Sequence, residues 1–206
     1  MSQATLLDYL RHGEPRGGSR YRGHSIDDPL SDNGWSQMRH TTAALCEWTH
    51  IVSSPLSRCR AFAEWLAQEH EVPLSIEQDL REVGFGSWEG RNRAELLREC
   101  PEEYHAFYRD PVDQRPAGAE SLHDFGRRVA DVFERLVQRH AGEHLLVVAH
   151  AGVIRATLGH VTGAPPASWY RAAVDNAAVS RFAHDGQRSK LVVHNWRPHL
   201  GCPNND

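Results

Sequence analysis

Two rhythms of apolar residues divide this chain. Short unbroken apolar runs that stop at Gly, Pro or His read as buried strands, and apolar residues recurring every three or four positions read as helices. Residues 4–11 form the first strand, with Leu6, Leu7, Tyr9 and Leu10 apolar and Gly13, Pro15, Gly17 and Gly18 following. A helix opens near Ser31 or Asp32, either of which can cap it. Trp35, Met38, Thr42, Leu45 and Trp48 recur on its core side, and Gly34 weakens its first turns. Residues 50–53 are a second strand ended by Pro55. Ser57 is placed to cap the next helix, which runs to about residue 70 with Phe62, Trp65 and Leu66 inward. Residues 72–76 are a third strand, and 93–100 and 101–108 are short helices. From Ser121 a strongly amphipathic helix carries Phe125, Val129, Val132, Phe133, Leu136 and Val137 on one face and stops at Ala141 and Gly142. Residues 145–149 are a buried strand, 152–158 a helix, and 179–183 and 190–193 two late strands joined by a turn at Asp185 and Gly186. Strands alternating with helices predict an α/β fold, a mainly parallel sheet with helices on both faces.

Composition changes this picture little. The 206 residues suit one α/β domain spanning 1–206, with no repeat or linker, and the segment from Pro198 to Asp206 reads as a loose tail. The net charge of −4 gives no basic field for nucleic acid, and Lys190 is the sole lysine. Cys46, Cys59, Cys100 and Cys202 form no CxxC pair and read as reduced cytoplasmic thiols, Cys46 in an apolar helical pattern as a core residue. Asp8, Arg11 and His12 interrupt the early apolar run, unlike a signal peptide, and no stretch is long enough for a membrane span. The 14 His show no paired ligand spacing, so neither a metal nor another cofactor is expected. Most of them, including His40, His50, His70, His105, His140, His144, His184 and His199, read as solvated or capping. Trp169 and Tyr170 beside Pro165 and Pro166 fit a core or the interface of a homodimer.

The candidate chemistry sits where strands stop. The first strand ends in Arg11-His12-Gly13, and the run 145–149 ends in His150-Ala151-Gly152. In a parallel sheet such ends gather at one edge, where sites form. Two neighbouring strands would set the imidazoles side by side, with the free amides of the following helix next to His150. Arg11 is a forked donor matched to phosphate oxygens, and His12 is a nucleophile near neutral pH. Arg58 lies in the first turn of its helix, where the dipole disfavours a cation unless an anion is bound; Arg60 is its competitor. Glu82 and Glu89 flank a Gly- and aromatic-rich turn and are both candidate proton donors. The Arg-rich loop 16–28, with Arg16, Arg20, Arg22 and Gly23, reads as a substrate-facing flap. Arg11, His12, Arg58, Glu82 and His150, with Arg22 outside them, form a poor metal site, because Arg repels a cation. They suit phosphoryl transfer to nitrogen, with Arg and His150 neutralising the equatorial oxygens and a carboxyl group protonating the leaving oxygen. A protein that only bound a phosphorylated ligand would need neither His12 nor Glu82.

Four stretches, Arg11-His12-Gly13-Glu14, Ser53-Ser54-Pro55-Leu56-Ser57-Arg58, Glu82 to Gly90, and Ala149-His150-Ala151-Gly152-Val153-Ile154-Arg155, resemble in order and spacing the histidine phosphatase (phosphoglycerate mutase-like) superfamily. That resemblance implies a three-layer α/β/α sandwich with a mixed, mostly parallel sheet. It implies a phosphorylated His12, phosphoryl contacts from Arg11, Arg58 and His150 extending to Ala151, Arg22 and Gly23, and Glu82 as proton donor. Family members often carry Thr and Asn where Pro15 and Gly18 stand, so one phosphate contact is missing, with Ser19, Arg20 or Arg22 as substitutes. The short chain looks more like a phosphatase than a mutase. The loop Gly23 to Ser31 resembles the α-ribazole phosphatase branch, with fructose-2,6-bisphosphatase-like and sugar-phosphate phosphatases sharing most of these residues. The partner implied is a small phosphorylated metabolite.

Overall fold

The computed structural model describes residues 3–45 and 47–197. Cys46, His199, Cys202 and the segment 198–206 lie outside them. The described strands are β1 (Thr5–Arg11), β2 (His50–Ser53), β3 (Leu74–Ile76), β4 (His144–Ala149), β5 (Val179–His184) and β6 (Ser189–Trp196), in the spatial order β3-β2-β4-β1-β5-β6. The pairs β3–β2, β2–β4 and β4–β1 are parallel, while β5 runs antiparallel to β1 and β6 antiparallel to β5. The sheet is therefore mixed and mostly parallel, as the alternation of elements predicts.

Period-two alternation sends successive strand residues to opposite faces. Leu7, Tyr9, Leu145 and Val147 pack on α5 (Leu122–Arg139) and α6 (Ala151–Thr162), through Phe125, Val129, Phe133 and Ile154. Leu10, Ile51, Leu146 and Val148 pack on α1 (Asp32–Ala43) and α2 (Ser57–Glu69), through Met38, Phe62 and Leu66. The result is three layers, helix on sheet on helix. Two short helices, α3 (Arg93–Glu99) and α4 (Pro101–Arg109), extend the α5–α6 side through Leu96, Tyr104 and Phe107.

Asp8 breaks the apolar run of β1 for a structural reason. Its fully buried carboxylate accepts from Arg181 on β5, His144 on β4 and the Trp48 indole, so one side chain ties three strands together. Burial alone would raise its pKa; the hydrogen bonds from His144 and Arg181 outweigh that and hold it below the ordinary carboxylate value. His144 is thus a bound residue rather than a solvated one. So is His50, on Ser75, whereas His140 holds the C-cap position of α5, a capping residue as expected, with its ring on Glu143.

Local expectations differ from the structure at three points. The first helix ends at Ala43, so Leu45 and Trp48 reach the core from the connection beyond it. Ser57 does not cap α2: Leu56 holds that position without a side-chain cap. Asp27, from the loop 16–28, accepts from the Ser57 amide and hydroxyl instead. Gly34 is no mere weakness in α1. A Cβ there would lie 2.1 Å from the Glu14 carbonyl oxygen, and one on Gly13 would lie 2.2 Å from the Gly34 oxygen. The two bare glycines let the N-terminus of α1, capped by Ser31, press against the end of β1.

Candidate active site

Strand register builds the site. Arg11 pairs with Ala149 in the β1–β4 ladder, and the His12 amide donates to the Ala149 carbonyl at 3.0 Å. The Ser54 amide donates to the neighbouring Val148 carbonyl, also at 3.0 Å. His12 and His150 therefore leave the sheet side by side, with ring centroids 5.2 Å apart and edge to face.

The His12 ring is oriented by its own next residue. Nδ1 lies 2.7 Å from the Gly13 carbonyl oxygen. A carbonyl only accepts, so Nδ1 carries the proton and Nε2 keeps its lone pair. Burial, reinforced by Arg11 and Arg58, holds the His12 pKa well below the usual imidazole value. The neutral, nucleophilic form is thereby favoured. His150 is held neutral in the same way, by burial and then by Arg58 and His12. Its Nε2 is 2.7 Å from the Ser54 hydroxyl.

Arg58 is enclosed, at 1 % exposure. Its two terminal nitrogens donate to the carbonyls of Ile26 and Gly23, and its nearest carboxylate, Asp27, is 3.9 Å away. Arg11 donates to the Val174 carbonyl at 2.6 Å, and burial lowers its pKa to about 10 against the opposing pull of Glu82. The Nε atoms of both arginines are buried without a partner. One enclosed and one half-buried guanidinium group, each with an unfilled donor facing inward, mark a place for an anion. Arg60, the competitor, points outward to Glu64.

The two carboxylate candidates separate cleanly. Glu89 accepts from the Phe85 amide and from the Ser25 amide and hydroxyl, which makes it a clamp between two loops. Glu82 lines the pocket with Arg11, His12 and Arg58. One of its oxygens accepts from the Val83 amide at 2.9 Å and the other from the Gly152 amide at 3.2 Å. The first turn of α6 thus gives an amide to Glu82, where the sequence suggests amides free for an oxyanion. The bare Gly152 leaves that carboxylate its place, because a Cβ would sit 2.2 Å from a Glu82 oxygen and push it aside.

The pocket is about 530 Å³ and also touches Gly18, Arg20, Arg22, Gly23 and Ala151. Arg22 is committed to the loop: it pairs with Asp28 and donates to the carbonyls of Arg16 and Gly18. It shapes the rim rather than offering a free fork. His150 is fully buried and lies beneath the pocket wall rather than on it. Among the described residues no group of three or more His, Cys, Asp or Glu side chains is placed to hold a metal ion.

A family model for the histidine phosphatase superfamily, branch 1, matches residues 8–197. The chain belongs to that superfamily. An adenosylcobalamin/α-ribazole phosphatase of Salmonella typhimurium is 30% identical over 92% of this chain and 97% of its own. A metal-independent phosphoserine phosphatase of Arabidopsis thaliana is 32% identical over 95% of this chain and 82% of its own. Among solved structures, a mycobacterial glucosyl-3-phosphoglycerate phosphatase complexed with VO3 superposes with a TM-score of 0.83 at 28% identity, covering 92% of this chain and 98% of that one.

Several residues that line the pocket of this histidine phosphatase are not assigned to it by the sequence. Tyr21, Phe85, Tyr108 and Tyr170 line one side, and Arg155 stands 5.5 Å over the Tyr170 ring while donating to the Ala172 carbonyl. Trp169 belongs to the core, its ring against Gly126 and Gly159, where a Cβ would lie 2.6 and 2.1 Å away. Asn176 also lines the pocket and donates to the His12 carbonyl at 3.1 Å. Tyr108 and Arg155 lie on α4 and α6 and Tyr170 in the short helical turn 166–171, while Tyr21, Phe85 and Asn176 lie in loops; in neither place does apolar periodicity point to the pocket. No described helix is long and apolar enough to cross a membrane.

Proposed function

We propose that this chain, as one domain spanning 1–206, is a phosphomonoesterase that works through a phosphohistidine at His12 and needs no metal. The observation that carries the reading is the His12 ring, with its proton fixed on Nδ1 by Gly13 and its other nitrogen free, in one pocket with Arg11, Arg58 and Glu82. His12 Nε2 attacks phosphorus; the P–N bond forms as the P–O bond to the alcohol breaks. Glu82, protonated, gives its proton to the leaving oxygen. The resulting Glu82 carboxylate then takes a proton from water, which attacks phosphorus. The P–N bond breaks, inorganic phosphate leaves, and both residues return to their starting states. Arg11 and Arg58 supply the positive charge that a metal supplies elsewhere, aimed at the equatorial oxygens. His150, neutral and enclosed, supports the same oxygens once a phosphoryl group sits against His12.

The substrate is a small phosphorylated metabolite, and α-ribazole 5′-phosphate is the member we favour. The full-length likeness to an enzyme of that name supports it, as does the aromatic side of the pocket, which suits a flat ring. The test is phosphate release in EDTA, wild type beside His12→Ala, from α-ribazole 5′-phosphate, phosphoserine, 3-phosphoglycerate, fructose 2,6-bisphosphate and an aryl phosphate. Metal-free turnover that disappears in His12→Ala, greatest for α-ribazole 5′-phosphate, is expected. Preference for phosphoserine would replace the substrate and keep the chemistry; turnover that survives His12→Ala would remove the chemistry.

A further inference from the structure

We propose that Asn176 is a positioning residue for His12: its side-chain amide grips the histidine's peptide carbonyl and so fixes the direction of the ring. The inference rests on the reading of His12 as nucleophile and goes beyond it. The His12 ring is anchored to the carbonyl of Gly13, so ring and backbone turn together. Gly13 itself adds no rigidity, since a glycine resists rotation less than any other residue. The peptide joining His12 to Gly13 must therefore be held from outside. Asn176 Nδ2 donates to its oxygen at 3.1 Å, and the Ala177 amide bonds the Arg11 oxygen at 3.1 Å and the His12 oxygen at 3.4 Å.

The segment that presents Asn176 is itself held rigidly. Ala177 has φ +55°, a left-handed conformation unfavourable for a residue with a Cβ, and Asn195 has φ +53°. Such conformations persist only where their surroundings over-determine them. The Ala177 carbonyl accepts from Thr41 on α1 at 2.8 Å. The Asp175 amide donates to the Asn195 side chain at 2.7 Å, and Arg197 pairs with the Asp175 carboxylate at 3.4 Å. Arg11, the residue before His12, donates to the Val174 carbonyl at 2.6 Å. A short arm between residues 172 and 178, braced from α1 and from the end of β6, thus meets both Arg11 and His12.

Asn176 also lines the pocket, so direct substrate contact is the rival role, and the two differ in what they move. A residue that only touches substrate changes KM; a residue that aims the nucleophile changes kcat. The experiment compares wild type with Asn176→Ala and with Asn176→Asp, which keeps the shape and removes the donor. Steady-state kinetics on an aryl phosphate are combined with NMR of the exchange-protected His12 Nδ1–H, assigned by its loss in His12→Ala. We expect kcat to fall ten-fold or more in both variants with KM within about two-fold, and the Nδ1–H signal to lose its protection. A kcat within two-fold of wild type, a loss confined to KM, or an unchanged ring signal would each overturn the proposal. Wild type that releases no phosphate would defeat the phosphatase reading instead, and the ring signal would still decide whether Asn176 holds His12.

Discussion

The floor and the aromatic side of the pocket are built by different rules. On the floor, four of the groups proposed for the chemistry are fixed by backbone, His12 by the Gly13 carbonyl, Arg11 by that of Val174, Arg58 by those of Ile26 and Gly23, Glu82 by two amides, while His150 is held by the Ser54 hydroxyl. Those backbone groups belong to the sheet and to loops tied to it, and His12, Arg58 and His150 are nearly or fully buried. On the opposite side, Tyr21 and Tyr108 meet through their hydroxyls at 2.7 Å, and Tyr108 is 47 % exposed. Tyr108 and Tyr170 stand in loose edge contact, with centroids 6.3 Å apart. A floor held by backbone tolerates little change, and it handles the phosphoryl group common to all substrates. The wall roots Phe85, Tyr21 and Tyr170 against the core, but its outermost ring, Tyr108, is held by surface contacts, so that position can vary without unfolding the protein, and it meets the part of the substrate that differs.

Breaking the floor should have the largest effects. Glu82→Gln removes the proton donor and, because its NH2 cannot accept, one of the two amide contacts from Val83 and Gly152 as well; it should lower kcat on alkyl phosphates by about 10²- to 10⁴-fold. An aryl phosphate, whose leaving oxygen needs little protonation, should lose much less; equal losses on both would deny Glu82 that role. Gly152→Ala comes next. Its Cβ would collide with a Glu82 oxygen at 2.2 Å, so steady-state kinetics should show the carboxylate displaced and kcat lowered by roughly ten-fold or more, a misplacement effect. Unchanged kinetics would mean that α6 yields and Glu82 is not tightly held.

Acidity probes the floor as a whole. His12 and His150 have folded pKa values depressed by burial. The stability they contribute is present above the unfolded value of about 6.5 and is lost as the pH falls from there towards the lower folded values. Urea unfolding between pH 7.5 and 5.0 should show a falling midpoint, and His12→Ala should flatten that fall. In contrast, the acid limb of kcat/KM set by His12 should lie below pH 6.5; a limb at 6.5 would place the ring in contact with water. The smallest effect belongs to the wall. Tyr108→Ala should leave thermal stability within a few degrees and shift the ratio of kcat/KM between α-ribazole 5′-phosphate and phosphoserine by several-fold. A ratio that stays put would remove Tyr108 from substrate selection.

Legibility in the sequence follows the same division. The strand ends at His12 and His150 are readable because an apolar run, a His and a Gly are local features, and parallel pairing then brings them together. Arg58 is readable because a cation in the first turn of a helix conflicts with the dipole. The local pattern leaves Glu82 and Glu89 level, since both stand beside the same turn; the family resemblance names Glu82, and in the structure the Ser25 contact of Glu89 and the Gly152 contact of Glu82 tell the two apart. Arg22 reads as a substrate ligand but is committed to Asp28 and two carbonyls of its own loop. Ser57 reads as a cap, yet the cap comes from Asp27, 30 residues earlier. Asn176 meets His12 across 164 residues, through a loop with no periodicity to announce it. Contacts of that span depend on packing that the local pattern does not encode.

The central claim is a covalent phosphohistidine at His12. Wild type mixed with substrate and quenched within milliseconds in alkali, then digested and analysed by mass spectrometry, reads it directly, because phosphohistidine survives alkali and is lost in acid. The account predicts a phosphoryl group on the peptide bearing His12, at higher occupancy in Glu82→Gln if water attack is the slower step there, and none in His12→Ala. Phosphate release at full rate with no phosphorylated His12 at any quench time would contradict it.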